Sequence, residues 1–341
     1  MAVAVTGVRP IDVLPVAPRY FPIARGRYEV KPGLYPLGKD FGNGVWDQRV
    51  FHIDDNFTHY YHAKQSARRE CLEKYYQTQE FAPEVERVLA QFITERLAQE
   101  YPQHYQITLQ SYGRIFHNQL TGETVYFDAD YRLLDVTGLP PDVPPYRSAF
   151  DALAGQVQED MAVVSRAGDR HWLSAIHLCF PNHWAAEAKI GREFAEVHAP
   201  VPGMAGINRR GHALVHTMIT QPPLVRFAWG ISTDTRLNHH PEPPPGVDPE
   251  QWQGRRFQSQ NPHLYLRIER QVIWGFPAVE AALFTIRTYF QDVRVMKKQF
   301  PGQCAQLRAA IQSMSPASLH YKGLAHQWQD ILAWLDTPIS E

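Results

Sequence analysis

The sequence predicts an α+β protein: an antiparallel sheet with helices gathered on one face, and helical elaborations at both ends. Three observations carry this. Between residues 83 and 99, Val85, Val88, Leu89, Phe92, Ile93 and Leu97 recur at the spacing of an amphipathic helix. Two long segments, 263–274 and 281–290, alternate with period two, as half-buried strands do. The second half reads strand, strand, helices, strand, strand, strand, and the long final strands suit antiparallel meander pairing.

Residues 1–50 are rich in Pro, Gly and aromatics without a steady period, and read as an extended arm with one or two short strands. Helical signal starts near His62. Pro83 suits the first turn of the strongest helix, and Tyr101-Pro102 ends it. Residues 115–127 read as a strand pair about Thr121-Gly122. The run Leu139-Pro-Pro-Asp-Val-Pro-Pro145 is the expected boundary. It divides an N-terminal arm and helical region, 1–145, from a core with C-terminal helices, 146–341. In the second half, 161–165 and 170–180 form a hairpin across Arg166-Ala-Gly-Asp169. Residues 182–197 and 205–219 read as helices, and 224–231 as a strand with Val225, Phe227, Trp229 and Ile231 on one side. Residues 238–254 are a proline-rich surface loop. The end is helical, 303–313 and then from Ser315-Pro316 toward Leu335.

The 341 residues carry 34 Lys+Arg against 35 Asp+Glu and are 44% hydrophobic, so a sizeable core is expected and a general basic field for nucleic acid is not. No apolar run approaches the ~20 residues of a membrane span. Met1 to Pro18 lacks a basic segment followed by an apolar stretch, so a cytoplasmic protein without a secretory leader is expected. The three cysteines, Cys71, Cys179 and Cys304, are too far apart in sequence for a metal knuckle. Cys179, among apolar strand neighbours, reads as a buried structural thiol.

Nucleotide loops, a hydrolase nucleophile elbow and the covalent c-type haem motif are all absent from the sequence. His212 and His216 fall at i, i+4 on a helix, but Ala213 stands where a zincin needs its Glu. A partly exposed helix face is the preferred reading there, and a non-haem metal hydrolase a lesser one. His198 lies just beyond a helix with two prolines fixing the chain after it. It can serve a metal or haem iron, or cap the helix carbonyls; the pattern alone leaves both open. Arg267, Glu269 and Gln271 share one strand face, and Arg270 takes the other. Arg287 and Tyr289 are expected on the same outward side as Glu269, making either a solvent face or a polar pocket.

The stretches Gln158-Glu-Asp160, Phe180-Pro-Asn-His-Trp184, Val197-His-Ala-Pro-Val-Pro-Gly203, Arg267-Ile-Glu-Arg-Gln271, Leu283-Phe-Thr-Ile-Arg-Thr-Tyr289 and Tyr321-Lys-Gly-Leu324 resemble, in order and rough spacing, the haem-dependent oxidative N-demethylases. The likeness runs from about 158 to 335. It implies a PAS-like domain with non-covalent haem b held by a histidine, His198 first and His183 as runner-up. It also implies O2-dependent removal of a methyl group from dimethylamine through a ferryl species, with release of formaldehyde and electrons from flavin and iron–sulfur reductase partners. On that basis Glu269 becomes the counter-ion of a protonated amine, and Tyr265 and Tyr289 candidate donors to bound oxygen. Arg267, Arg270 and Arg287 are candidates for the haem propionates, and Trp229 packs on haem or core. The chain departs from the family at Arg226-Phe-Ala-Trp-Gly230, where Arg-x-Asn-Trp-Ser is usual, and across 272–280. A PAS-like haem or small-molecule sensor is the main alternative, although no effector segment is evident.

Overall fold

A computed structural model describes residues 19–23, 25–253 and 256–338. The expectation for Met1 to Pro18, most of the first half of the predicted arm and the end of the 238–254 loop lie outside those residues. In chain order the elements are β1 (Tyr35–Pro36), α1 (Phe57–Tyr75), β2 (Tyr76–Thr78), α2 (Pro83–Glu100), β3 (Tyr105–Gln110), β4 (Gly113–Asn118), β5 (Thr124–Asp128), β6 (Leu133–Thr137) and α3 (Ala149–Gly155). There follow β7 (Asp160–Ala167), β8 (Arg170–His177), α4 (Phe194–His198), α5 (Ala205–Asn208), α6 (Gly211–Thr220), β9 (Leu224–Ser232), α7 (Pro249–Gln253), β10 (Tyr265–Phe276) and β11 (Ala281–Asp292). Four helices close the chain: α8 (Val293–Gln299), α9 (Pro301–Gln312), α10 (Pro316–Tyr321) and α11 (Trp328–Asp336).

Local chemistry sets many boundaries. Pro83 occupies the start of α2, with Glu84 and Glu86 in its first turn where the helix dipole favours acids. Ser148, Asp292 and Ser315 cap α3, α8 and α10 through their side-chain oxygens. Gly168 takes the positive φ that the tight β7–β8 turn requires.

The strands form a seven-stranded sheet, β1-β9-β10-β11-β7-β8-β2, and a separate four-stranded meander, β3-β4-β5-β6. The meander doubles the strand pair expected at 115–127. Its outer strands carry Leu109 and Leu134 exposed, which masked their pattern. Helices lie on both faces of the large sheet rather than one. Val225, Val272 and Leu283 pack with α2 and α3, while Leu264, Leu266 and Ile268 pack with the C-terminal helices. On the opposite face Ile273 and Ala282 pack against Val215, Met218 and Ile219 of α6. The turn end of the β10–β11 hairpin is thus covered on both faces, by α2 and α3 on one and α6 on the other.

Two predicted helices change. Residues 182–197 are mostly turns, and only Phe194–His198 is helical. The segment 205–219 breaks at Arg209-Arg210 into α5 and α6.

Register overturns one expected grouping. Ile268 pairs with Tyr289, and Arg270 with both Arg287 and Phe227. Paired residues of antiparallel strands share a face. Arg287, Tyr289, Arg270 and Trp229 therefore lie on the face turned toward the N-terminal segment, away from Arg267, Glu269 and Gln271. Like charges at Arg270 and Arg287 are tolerated because each is engaged: Arg270 donates to the Arg49 and Val50 carbonyls, and Arg287 to Asp54 Oδ2 at 2.6 Å. Tyr289 donates to His52 Nδ1, and His52 in turn donates to the Trp46 carbonyl. Trp229 packs in the core beside Tyr28.

Candidate functional site

The other face of β9–β11 carries the candidate site. Reading across strands, Arg226 stands opposite Gln271, Ala228 opposite Glu269, and Gly230 opposite Arg267; Thr288 of β11 completes the middle row. Helices α4 and α6 and the turns after β8 lie over this face. Gly230 is covered by Asn182, whose Nδ2 would stand 3.6 Å from a Cβ placed there.

His198 ends α4. Its ring packs on Phe194 at 4.2 Å between centroids, and Nδ1–H donates to the Phe194 carbonyl at 2.8 Å. That bond fixes the tautomer and leaves the Nε2 lone pair without a protein partner among the described residues. Burial, helped by the positive charge of Arg226, pushes its pKa down to about 4, so the ring is neutral near pH 7. The two readings that sequence left open thus coincide: the ring caps its own helix through one nitrogen and offers the other.

His183, the second candidate, has a left-handed backbone with φ 62°. Its N–H donates to the His239 carbonyl, and its ring stacks on His239 at 5.0 Å. His239 is buried despite lying in a proline-rich loop. It accepts from Arg267 on Nδ1 at 3.2 Å and donates from Nε2 to Asp234 at 2.9 Å. Arg267 also donates to the Leu237 and Phe180 carbonyls, so its terminal nitrogens tie β10 to two loops. Glu269 accepts from Gln271 Nε2 at 3.1 Å, and Arg267 Nε lies 3.9 Å away. Tyr265 shares this face but sits four residues from Glu269, about 13 Å along the strand, paired with Ser232 and Asp292.

Four shielded polar atoms on this face have no hydrogen-bond partner: Arg226 Nε, Arg267 Nε, Gln271 Oε1 and Thr288 Oγ1. Orphaned buried polar atoms are costly, and four of them gathered on one face leave room for a ligand with polar groups. In the sequence Arg226 opens a motif but carried no site role of its own, although the alternation that puts Val225 and Phe227 on one side requires Arg226 on this one.

His212 and His216 do not converge on a carboxylate. His212 packs edge-on against His171, and His216 Nδ1 accepts from Arg166. The ligand atoms of Asp160, His177 and Cys179 lie within 4.8 Å of one another. Lys64 already supplies positive charge to Asp160, while Lys64 and Arg68 both disfavour protonation of His177. Burial, reinforced by Asp160, raises the Cys179 thiol far above its usual value, as expected of a structural thiol.

A neutral imidazole with one free nitrogen, packed on Phe194 and within the electrostatic reach of Arg226, fits a haem protein in which histidine is the iron ligand. Residues 43–333 match the haem-dependent oxidative N-demethylase, alpha subunit-like family, and the chain belongs to it. It is accordingly an oxidoreductase of the haem-dependent N-demethylase class, and the family description is that of one subunit among others. Among the described residues no helix is long and apolar enough to cross a membrane.

Proposed function

We propose that this chain is the haem-binding oxygenase subunit that removes an N-methyl group from a small secondary amine such as dimethylamine, releasing formaldehyde. The observation that carries the reading is the His198 ring, anchored at Nδ1 with Nε2 open. When bound, non-covalent haem b supplies O2 activation and hydroxylation of the methyl carbon, using two electrons from an external flavin and iron–sulfur reductase. The chain's own residues hold and orient. His198 offers neutral nitrogen. Glu269 offers a carboxylate to the substrate ammonium, with Gln271 fixing its rotamer. Tyr265, at the far end of the face, is a candidate proton donor. Arg267 braces the loops that wall the site.

The sheet supports a PAS-like core. Its inner strands, numbered from β7, follow the order 2-1-5-4-3 expected of that fold, and all come from the second half of the chain. The described residues before 146 then form the elaboration that adds β1 and β2 to the two edges.

The test is direct. The chain is expressed with haem precursor and its spectrum recorded. Reductase, O2 and dimethylamine are then added, and formaldehyde and methylamine are measured. A chain without a Soret band sinks the reading; a Soret band without amine turnover would favour a sensor.

A further inference from the structure

Buried guanidinium groups on this molecule are almost all engaged. Arg68 pairs with Asp151, Arg287 with Asp54, Arg267 with two carbonyls and His239, and Arg270 with two carbonyls. Arg226 is different. It lies on the middle of β9, its Nε is shielded from solvent, and no hydrogen bond or ion pair reaches it among the described residues. Glu269, one row away, acts on it only through space. The residue is half-buried, and a guanidinium nitrogen shielded from water without an acceptor is unfavourable. With Arg226 and Arg267 against Glu269, these three side chains leave one positive charge in excess.

We infer that Arg226 is an anion anchor that receives a carboxylate of the bound ligand, and that in the haem-loaded protein this carboxylate is a porphyrin propionate. The assignment rests on the haem reading proposed above. It follows from elimination as much as from placement: Arg270 and Arg287 are on the wrong face, and the terminal nitrogens of Arg267 are spent on Phe180, Leu237 and His239. Arg226 alone combines an unpaired guanidinium on this face with an electrostatic influence on His198. Gln271 Oε1 and Thr288 Oγ1, also unpaired, sit on the same face. The Thr288 hydroxyl can donate to the same anion. A carboxylate on the amine substrate would present the same chemistry, so the test separates the two sources.

Full-length wild type and Arg226→Gln are titrated with iron protoporphyrin IX and with its dimethyl ester, which lacks the propionate charges. Charge-assisted hydrogen bonds to a shielded group contribute roughly ten- to hundredfold in affinity. Wild type should prefer the free acid over the ester by about that factor, and Arg226→Gln should erase the preference by weakening only the free acid. Unfolding of the haem-free proteins gives the second readout. Removing an unpaired cation should leave Tm unchanged or raise it, whereas Arg267→Gln should lower it. Arg226→Lys keeps the charge without the fork and should retain part of the preference.

Equal affinities of wild type for acid and ester would overturn the assignment. So would a preference that survives in Arg226→Gln, leaving a substrate carboxylate or nothing as its partner. A fall in Tm with equal loss of both porphyrins would make Arg226 a structural member of the sheet. If wild type binds neither porphyrin, the haem reading falls as well.

Discussion

Gln271 donates its side-chain N–H to the Glu269 carboxylate at 3.1 Å, two residues away on the same face of β10. Because a carboxylate only accepts, the amide orientation is set and the Gln271 oxygen points elsewhere. Glu269→Gln keeps the shape and removes the charge. It should weaken amine binding, followed as the amine-induced shift of the Soret band, by roughly ten- to hundredfold. Haem content should stay near the wild-type level. An unaltered amine titration would leave Glu269 as a structural partner of Arg267.

His198→Gly should lose most of its haem, and added imidazole should restore it, because the cavity left by the ring admits the free ligand. His183→Ala, which removes a ring already stacked on His239, should keep haem bound. Full haem retention with an unchanged ferric spectrum in His198→Gly would exclude His198 as the ligand.

Stability should depend on pH through two histidines. His198 and His177 are both pushed down to about 4, chiefly by burial. Each stays neutral in the folded chain while its unfolded counterpart takes a proton near 6.5. At these two sites the unfolded state therefore binds more protons between pH 6.5 and 4, so each subtracts stability as pH drops through that window, while Glu100, Glu159 and Asp160, raised by burial to about 7, act in the opposite sense. Chemical denaturation of the haem-free chain from pH 7.5 to 4.5 measures the slope. His198→Asn should gain stability relative to wild type as pH falls, and a profile parallel to wild type would contradict the placement of this ring.

Asp151 and Arg68 form an ion pair with no exposure on either side chain. Asp151 also accepts from Arg147 N–H, and Arg68 reaches the Pro144 and Pro145 carbonyls. Removing one partner strands the other, at a cost of about 3–5 kcal/mol. Asp151→Asn should lower the denaturation midpoint accordingly, while Asp142→Asn, at an exposed pair with Arg69, should move it by less than about 1 kcal/mol.

Thiol labelling checks the core. Cys71 is partly exposed, whereas Cys179 and Cys304 are buried. One thiol should react rapidly in the native chain, and Cys179 only at the rate of unfolding.

What the sequence disclosed followed from periodicity. The alternation in 263–274 placed Arg267, Glu269 and Gln271 together correctly, because one strand's parity is a local property. The parity of β11 relative to β10 is not local. It depends on pairing register, and a shift of one residue moves Arg287 and Tyr289 to the opposite face. The polar residues of β11 gave no warning, since Asp54 and His52, more than 200 residues earlier in the chain, satisfy them. The turns over 182–193 carry apolar side chains such as Trp184 and Ile190 that mimic a helix, although they pack on Leu173 and Ile176 of the sheet. Arg226 was implied by its neighbours, since the parity that turns Val225 and Phe227 to one side turns it to the other, but its lack of a partner depends on groups distant in sequence.

At Gly275 the sheet meets α6 so closely that a Cβ would come within 2.1 Å of the Ile219 carbonyl oxygen. At the other end of that helix, Gly211 lies against Phe194, the residue that holds His198. Gly275 therefore works as the zero setting of a caliper whose jaws are β10 and the layer bearing His198. A methyl group at 275 would open the jaws by wedging the helix end outward. Successively larger side chains there offer a graded way to widen the cleft without altering any group that lines it.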